Sequence, residues 1–133
     1  MYNKKMIISQ GNIKTRIFYL IATIIWAGFI FYLSSIPDLA SGLPSWQDLV
    51  LRKLAHIAVF FIFAYLLAKT LNSVKRPALL FVIMAGVAYA LFDEWHQSFV
   101  PGRMGVPQDI LIDTIGVFLG VWGYQKRQKN LFD

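Results

Sequence analysis

Charged and polar side chains interrupt the apolar segments of this chain at spacings that place them on common helix faces. Residues three or four positions apart on a helix lie on one side of it. Three pairs have this spacing: Lys53 with His56, Asp93 with Gln97, and Asp109 with Asp113. Glu94 lies beside the second pair. Basic groups bind phosphates and carboxylates, and a carboxylate held away from water acts as a general acid or base, so these residues predict a site that combines binding and catalysis.

The candidate residues divide into two groups by their chemistry. The predicted catalytic residues are His56, Asp93, Glu94 and Asp113. The predicted substrate-binding residues are Lys53, Gln97, Arg103 and Asp109. Simpler interpretations stay open for three of them. His56 could be a hydrogen-bonded polar residue between helices, Asp109 could be only the N-cap of the last helix, and Arg103 could contact lipid phosphates.

The same residues include donors for a metal ion. An oxygen-rich set of this kind suits Mg²⁺, Mn²⁺ or Ca²⁺, and His56 or His96 would shift the preference toward zinc. His96 is the weaker candidate, because it follows Glu94 by two residues and therefore points to another side of the helix. The sequence has no H-E-x-x-H, G-x-S-x-G or P-loop motif, so it leaves the metal and any cofactor unknown.

The elements that must position these residues are hydrophobic helices. The chain has 133 residues, of which 57% are apolar and 15% are charged. A single domain of this size cannot hide so much apolar surface from water by folding alone, which indicates insertion into a membrane. The absence of cysteine excludes disulfides, thiolate catalysis and cysteine-bound metals. The net charge of +6 does not indicate nucleic acid, because the basic residues punctuate apolar segments.

Four apolar segments predict an all-α fold, a four-helix transmembrane bundle with helices at about 17–36, 46–71, 77–97 and 109–124. The first segment has 20 residues without a charge, which as a helix match the roughly 30 Å hydrocarbon core of a bilayer. It is longer than the apolar part of a signal peptide, so we expect it to remain as an anchor. The other three helices carry the polar candidates at one end.

The positions of the basic residues predict the orientation of the bundle. Cytoplasmic segments of membrane proteins are enriched in Lys and Arg. Most of the 13 basic residues lie in the N-terminal arm, between the second and third helices, or after the fourth. These residues are Lys4, Lys5, Lys14, Arg16, Lys69, Lys75, Arg76, Lys126, Arg127 and Lys129. We therefore expect both termini in the cytoplasm and the polar residues at the extracytoplasmic end of helices 2, 3 and 4.

Small residues continue the polar faces of the last two helices. On the last helix, Asp113 is followed on the same face by Gly116, Gly120 and Gly123. On the third helix, Asp93 is preceded on the same face by Ala90 and Gly86. Small residues on a helix face let neighbouring backbones approach, so both carboxylates should point toward the other helices. An aspartate in hydrocarbon costs about 2.5 to 3.5 kcal/mol, and Asp113 therefore needs a partner or water. The available partners are Lys53, His56 and Arg103.

Several blocks of the sequence resemble the VanZ-like family of bacterial integral membrane proteins. The blocks are RKLAH (52–56), DEWHQSFVPGR (93–103) and QDILIDTIGVFLG (108–120), and Ser34-Ser35 resembles the polar end of the family's first helix. The resemblance covers all four helices and implies a single VanZ-like transmembrane domain over residues 1–133, in a protein of the cell envelope. The founding member of the family is associated with resistance to the glycopeptide teicoplanin. Many relatives have an acidic residue three positions after the histidine, where this chain has Val59.

Three functions fit the predicted cluster. The first is an enzyme, a hydrolase or transferase, that acts on a lipid-linked or amphipathic envelope substrate and that the resemblance links to teicoplanin resistance. The second is non-catalytic binding of a lipid headgroup or an acylated antibiotic, and the third is a structural ion network. The expected partners are the lipid bilayer and a lipid-linked cell-wall precursor or lipoglycopeptide. Nucleic acid is not expected as a partner, and the sequence is compatible with a homo-oligomer.

Overall fold

The computed structural model describes residues 12–37, 42–103 and 105–131, and the regular elements in these ranges are four α-helices. Helix α1 is Ile13–Ser35, α2 is Ser45–Leu71, α3 is Arg76–Gln97 and α4 is Pro107–Asn130. No strand occurs in these ranges, in agreement with the predicted fold class. Lys4 and Lys5, which contributed to the predicted orientation, lie outside the described residues.

Local sequence explains where the helices begin and end. Asn12 caps α1, since its side-chain oxygen accepts a hydrogen bond of 3.1 Å from the backbone N–H of Lys14. Pro77 lies in the first turn of α3 and Pro107 begins α4, positions at which a proline costs no helical hydrogen bond. Helix α2 stops before Asn72, which adopts the left-handed conformation with φ of 49°.

The first and last helices are longer than predicted. Helix α1 begins at Ile13 rather than near residue 17, and α4 runs from Pro107 to Asn130 rather than from about 109 to 124. The predicted bounds followed the apolar segments, whereas a helix continues into polar flanks until something stops it. Arg127 and Lys129 in the last turn of α4 also interact favourably with the negative end of the helix dipole.

The outer surface of the bundle is apolar. Helices α1, α2 and α3 are each long and apolar enough to cross a membrane. Large side chains on their surfaces, such as Ile24 and Ile25 at 62% and 66% exposure, would be costly in water but match hydrocarbon. The protein is therefore a helical membrane protein with three candidate spans. Helix α4 is more polar, and its crossing of the bilayer stays a prediction.

Helices α2 and α4 make the most extensive contact in the bundle. Glycines on α4 allow it: a Cβ atom added to Gly116 would lie 2.5 Å from the carbonyl oxygen of Ile57, and one added to Gly120 would lie 3.0 Å from the Cβ of Ala64. The prediction that this small-residue face turns toward other helices is confirmed. Because the face also contains Asp113, the close approach brings that carboxylate against α2.

Helices α3 and α1 complete the bundle around this pair. Gly86 of α3 lies against Val117 of α4, where an added Cβ would come within 2.6 Å of a valine methyl group. Helix α1 packs on α2 and α3, and side-chain hydrogen bonds join it to both helices. The Trp26 indole donates to the carbonyl of Val59 over 2.8 Å, and the Tyr89 hydroxyl donates to the carbonyl of Ala27 over 2.6 Å.

The ends of α1 and α3 and the beginnings of α2 and α4 meet at one end of the bundle, which we call the polar end. Its residues hydrogen-bond between helices: Ser34 of α1 with Asp93 of α3, and His56 of α2 with Asp113 of α4. The opposite end carries the beginning of α1 and the end of α4. The polar candidates of all three later helices thus lie at one level of the bundle.

Candidate functional site

The deepest polar contact at the polar end joins α2 to α4. His56 Nδ1 lies 2.8 Å from Asp113 Oδ1, and the Asp113 side chain is wholly buried while 17% of the His56 side chain is exposed. Of the three partners available to Asp113, the structure selects His56. Asp113 thus gives His56 an acidic partner from α4, whereas α2 has Val59 at the position where many relatives have an acidic residue. Gly116, one turn after Asp113, permits the approach that this hydrogen bond requires.

Asp93 forms a second buried contact, between α3 and α1. One of its oxygens accepts a hydrogen bond from the Ser34 hydroxyl, and the other accepts one of 2.7 Å from the Gln97 side-chain amide. Asp93 is 3% exposed and Gln97 4%. The spacing of four residues predicted that Asp93 and Gln97 share a face, which is confirmed. Sequence analysis did not place Ser34 in the site, and the serine pair at the end of α1 was the available signal.

Glu94 connects α3 to the loop before α4. Its Oε2 atom accepts a hydrogen bond of 2.8 Å from the backbone N–H of Val106. Gly105 makes this possible, because a Cβ there would lie 2.7 Å from the Glu94 carbonyl oxygen. Glu94 is only 5% exposed. The close approach of the loop at Gly105 therefore holds a buried carboxylate at the polar end.

His56, Asp93, Glu94 and Asp113 form a group that we call the buried cluster. Each residue offers one nitrogen or oxygen ligand atom, and these atoms all lie within 4.8 Å of one another. Two carboxylate oxygens of the cluster, Glu94 Oε1 and Asp113 Oδ2, are buried and have no hydrogen-bond partner among the described residues. Buried polar atoms are nearly always hydrogen-bonded, which makes these two oxygens unusual. All four predicted catalytic residues therefore lie together, and their catalytic role stays a prediction.

Lys53 and Asp109 form an ion pair above the buried cluster, between α2 and α4. The Lys53 side chain is 28% exposed and that of Asp109 is 14% exposed. The alternative in which Asp109 is the N-cap of the last helix is wrong, because α4 begins at Pro107 with Val106 in the capping position. Asp109 instead lies in the first turn, where the helix dipole favours a negative charge.

Arg103 holds the loop between α3 and α4 against the end of α1. Its Nε donates to the carbonyl of Ile36 and its Nη2 to the carbonyl of Leu33, each over 3.0 Å. Both carbonyls lie at the C-terminal end of α1, where backbone acceptors lack helical partners. Burial lowers the pKa of the Arg103 guanidinium, and the charge of Asp93 opposes that lowering. Arg103 makes no ion pair with Asp113.

Two further polar contacts lie at the edge of the site. Arg52 donates to Asp48 Oδ2 through Nε and Nη2, over 2.7 and 2.5 Å, and the arginine side chain is 53% exposed. His96 Nε2 lies 3.0 Å from the Ser35 hydroxyl and its ring stacks on Phe31. His96 is thus separate from the buried cluster, as its spacing from Glu94 predicted.

A cavity of about 460 Å³ opens at the polar end. Its volume is in the range of sites that bind small molecules. Its wall includes Arg52, Lys53, His56, Gln97, Arg103 and Asp109. A smaller cavity of about 80 Å³ continues beside it between α1, α2 and α3, where Asp93, Ser34 and His56 meet the apolar side chains of Ile30 and Phe60. Of the buried cluster, His56 lines both cavities and Asp93 lines the smaller one, whereas Glu94 and Asp113 line neither of the two.

Comparisons with known proteins agree with the architecture. The model of the family described as VanZ/LLP1 matches residues 6–128. The chain is also 34% identical over 82 residues to YwnJ, an uncharacterized membrane protein of Bacillus subtilis (strain 168). That match covers 60% of the chain and 54% of the relative, so the chain spans about half of the relative's length. No solved structure matches the chain significantly.

Proposed function

The chain belongs to the VanZ/LLP1 family, and we propose that it is an envelope enzyme that acts on the polar end of a lipid-linked or amphipathic molecule. The observation that carries this proposal is the position of the buried cluster. A histidine paired with a wholly buried aspartate lies beside two further carboxylates, and the histidine itself lines a cavity of about 460 Å³. An ionisable group at membrane depth is by default a functional candidate, and here four of them converge.

In this proposal His56 transfers protons, and Asp113 orients the ring and stabilises its positive charge. Asp113 accepts a hydrogen bond from Nδ1 of the ring, which fixes the tautomer and leaves Nε2 to exchange a proton with the substrate. The free oxygen of Glu94 is a second proton acceptor. Pairing of the histidine with a buried carboxylate also strengthens the ring as a base, because the positive charge that it acquires is stabilised.

The cavity wall supports binding of an anionic headgroup. Arg52, Lys53 and Arg103 all line it, and guanidinium groups match phosphate and carboxylate geometry. Lys53 and Arg103 already have partners in the protein, so a headgroup would share Lys53 with Asp109 and bind the remaining N–H groups of Arg103. The apolar outer surface next to the cavity leaves room for the acyl part of the substrate in the lipid.

The distribution of basic residues supports an extracytoplasmic location of the site. Basic residues are concentrated at the end opposite the polar end, on Lys69, Lys75, Arg76, Lys126, Arg127 and Lys129. With both termini in the cytoplasm and four membrane crossings, the cavity opens toward the outer leaflet. Lipid-linked cell-wall precursors and lipoglycopeptides such as teicoplanin are amphipathic molecules of that leaflet, which connects the proposal to glycopeptide resistance.

The proposal is tested with the purified protein in liposomes that contain lipids extracted from a bacterial envelope. Mass spectrometry before and after incubation should reveal one lipid species that decreases and a product that increases. D113N and H56N should reduce this conversion by at least about a hundredfold, within the range that general acid–base catalysis contributes. H96N, which changes the other histidine outside the buried cluster, is the matched control and should remain active.

In cells, the same variants should separate function from insertion. Expression in a teicoplanin-sensitive bacterium should raise the inhibitory concentration, and D113N should abolish the increase at equal membrane abundance. A lipid that co-purifies with the protein but is never converted, with unchanged binding by D113N, would contradict catalysis and favour non-catalytic headgroup binding.

A structural role is the second candidate, because basic side chains around the cavity have protein partners. Lys53 pairs with Asp109, Arg52 with Asp48, and Arg103 holds the end of α1. The exchanged variant K53D/D109K tests this role, since it preserves the ion pair but reverses its direction. If stability and conversion both survive the exchange, the pair is structural. Loss of conversion with retained stability would assign Lys53 to substrate binding.

A further inference from the structure

The charge of the buried cluster is not balanced by the side chains around it. Three carboxylates face one histidine. The basic groups nearby are engaged elsewhere, Lys53 with Asp109 and Arg103 with backbone carbonyls of α1. Glu94 Oε1 and Asp113 Oδ2 are buried without a hydrogen-bond partner among the described residues, and a buried carboxylate oxygen without a partner is strongly unfavourable. From these two observations we propose that a divalent metal ion binds among His56, Asp93, Glu94 and Asp113.

The geometry of the cluster is close to that of a coordination sphere. With metal–ligand bonds of about 2.1 Å, ligand atoms lie roughly 3.0 to 4.2 Å apart in tetrahedral or octahedral complexes. The four candidate atoms lie within 4.8 Å of one another, so shifts of about half an ångström would bring them to one ion. The four side chains come from three helices, whose packing at Gly116 and Gly86 fixes their positions.

The donor set selects the class of ion. Ca²⁺ requires six to eight oxygen ligands, and Mg²⁺ is held by one or two carboxylates and several waters. Three carboxylates with one imidazole instead suit Mn²⁺ or Zn²⁺. His56 Nδ1 already lies 2.8 Å from Asp113 Oδ1, so one ion between the two side chains would take Nδ1 as a ligand in place of this hydrogen bond.

The cavity supplies an entry path and room for further ligands. His56 lines both the large and the small cavity and Asp93 lines the small one, so an ion that enters from the polar end would meet these two ligands first. Oxygen atoms of a headgroup bound at Lys53 would complete its coordination. The role of the ion, which would bind and polarise the anionic headgroup, rests on the proposed function. Ion binding itself is measured without any substrate.

The experiment begins with purified protein in nanodiscs, stripped of metal with a chelator. Mn²⁺ and Zn²⁺ are then titrated separately by calorimetry, and bound metal is measured by mass spectrometry after dialysis. We expect one ion per chain. D113N and E94Q should each weaken binding by more than tenfold, since even loss of a residue that only orients a ligand costs about 10- to 100-fold. H96N is the matched control and should bind as the native chain does.

Structural damage by a variant is separated from ligand loss by two further measurements. Circular dichroism should give unchanged helix content for D113N and E94Q. The electron paramagnetic resonance spectrum of bound Mn²⁺ should change in H56N and remain unchanged in H96N. Absence of stoichiometric binding by the native chain, or equal binding by the native chain and the D113N/E94Q double variant, would overturn the inference.

The outcome also distinguishes this inference from the proposed function. If the chain binds no ion and still converts lipid in the presence of chelator, the enzyme does not need a metal. That result would refute only the metal site. Stoichiometric binding by a chain that converts no lipid would support the metal site and refute the catalytic proposal.

Discussion

Replacement of Gly116 by alanine would place a methyl group between α4 and the backbone of α2. The added Cβ would lie 2.5 Å from the Ile57 carbonyl oxygen and 3.1 Å from the Cβ of Phe60, whereas ordinary contacts begin at 3.4 Å. The carbonyl belongs to a helix and cannot rotate away, so α4 must retreat by about 0.9 Å. Overpacking of this kind costs roughly 1 to 3 kcal/mol.

This displacement of α4 should also change the geometry of the buried cluster. Asp113 lies one turn before Gly116, and His56 is the neighbour of Ile57 on α2. Their hydrogen bond is 2.8 Å long, and a displacement of this size would stretch it beyond the roughly 3.2 Å limit of normal hydrogen bonds. G116A should therefore weaken the His56–Asp113 contact although it changes neither residue.

Gly28 provides the matched control, since it lies in a helix and a Cβ there would have no atom within 4 Å. Both variants gain up to about 1 kcal/mol of helix propensity, so the difference between them reports packing alone. Unfolding by sodium dodecyl sulfate in mixed micelles should show G116A less stable than G28A by about 1 to 3 kcal/mol. Nitrogen NMR of the His56 ring should detect the altered hydrogen bond. Equal stability of the two variants, with unchanged ring signals, would refute the packing argument.

Two further predictions concern the polar end and its orientation. S34A should cost about 1 to 3 kcal/mol of unfolding free energy, because the Ser34 hydroxyl donates to buried Asp93. S98A should change it by less than about 0.5 kcal/mol, since that exposed hydroxyl donates to the Trp95 carbonyl of its own helix, and equal losses in the same unfolding assay would show that the contact with Asp93 contributes nothing. The chain has no cysteine, so single cysteines report sidedness directly. F99C at the polar end should react with a membrane-impermeant maleimide in intact cells and L131C only after lysis, and the reverse pattern would invert the proposed orientation.

Much of the architecture is encoded locally and could be predicted from the sequence. Apolar segments of sufficient length predict helices and a membrane environment, because backbone groups in lipid must be satisfied within each segment. Contacts along one helix are equally local, as the hydrogen bond between Gln97 and Asp93 illustrates. The family followed from the motif blocks, and the glycine row on α4 predicted which face turns inward. The bounds of α1 and α4 were less accessible, because helices continue past the apolar segments that reveal them.

The contacts between helices were decided only by the tertiary structure. Spacing along the chain places a side chain on a face, but the partner on another helix depends on depth and rotation, which the backbone approach at Gly116 and Gly120 fixes. His56 therefore meets Asp113 rather than Asp109, which pairs with Lys53 one turn nearer the end. The lack of a hydrogen-bond partner for Glu94 Oε1 and Asp113 Oδ2 also results from packing. Whether a buried carboxylate oxygen has a partner depends on which groups the neighbouring helices place beside it.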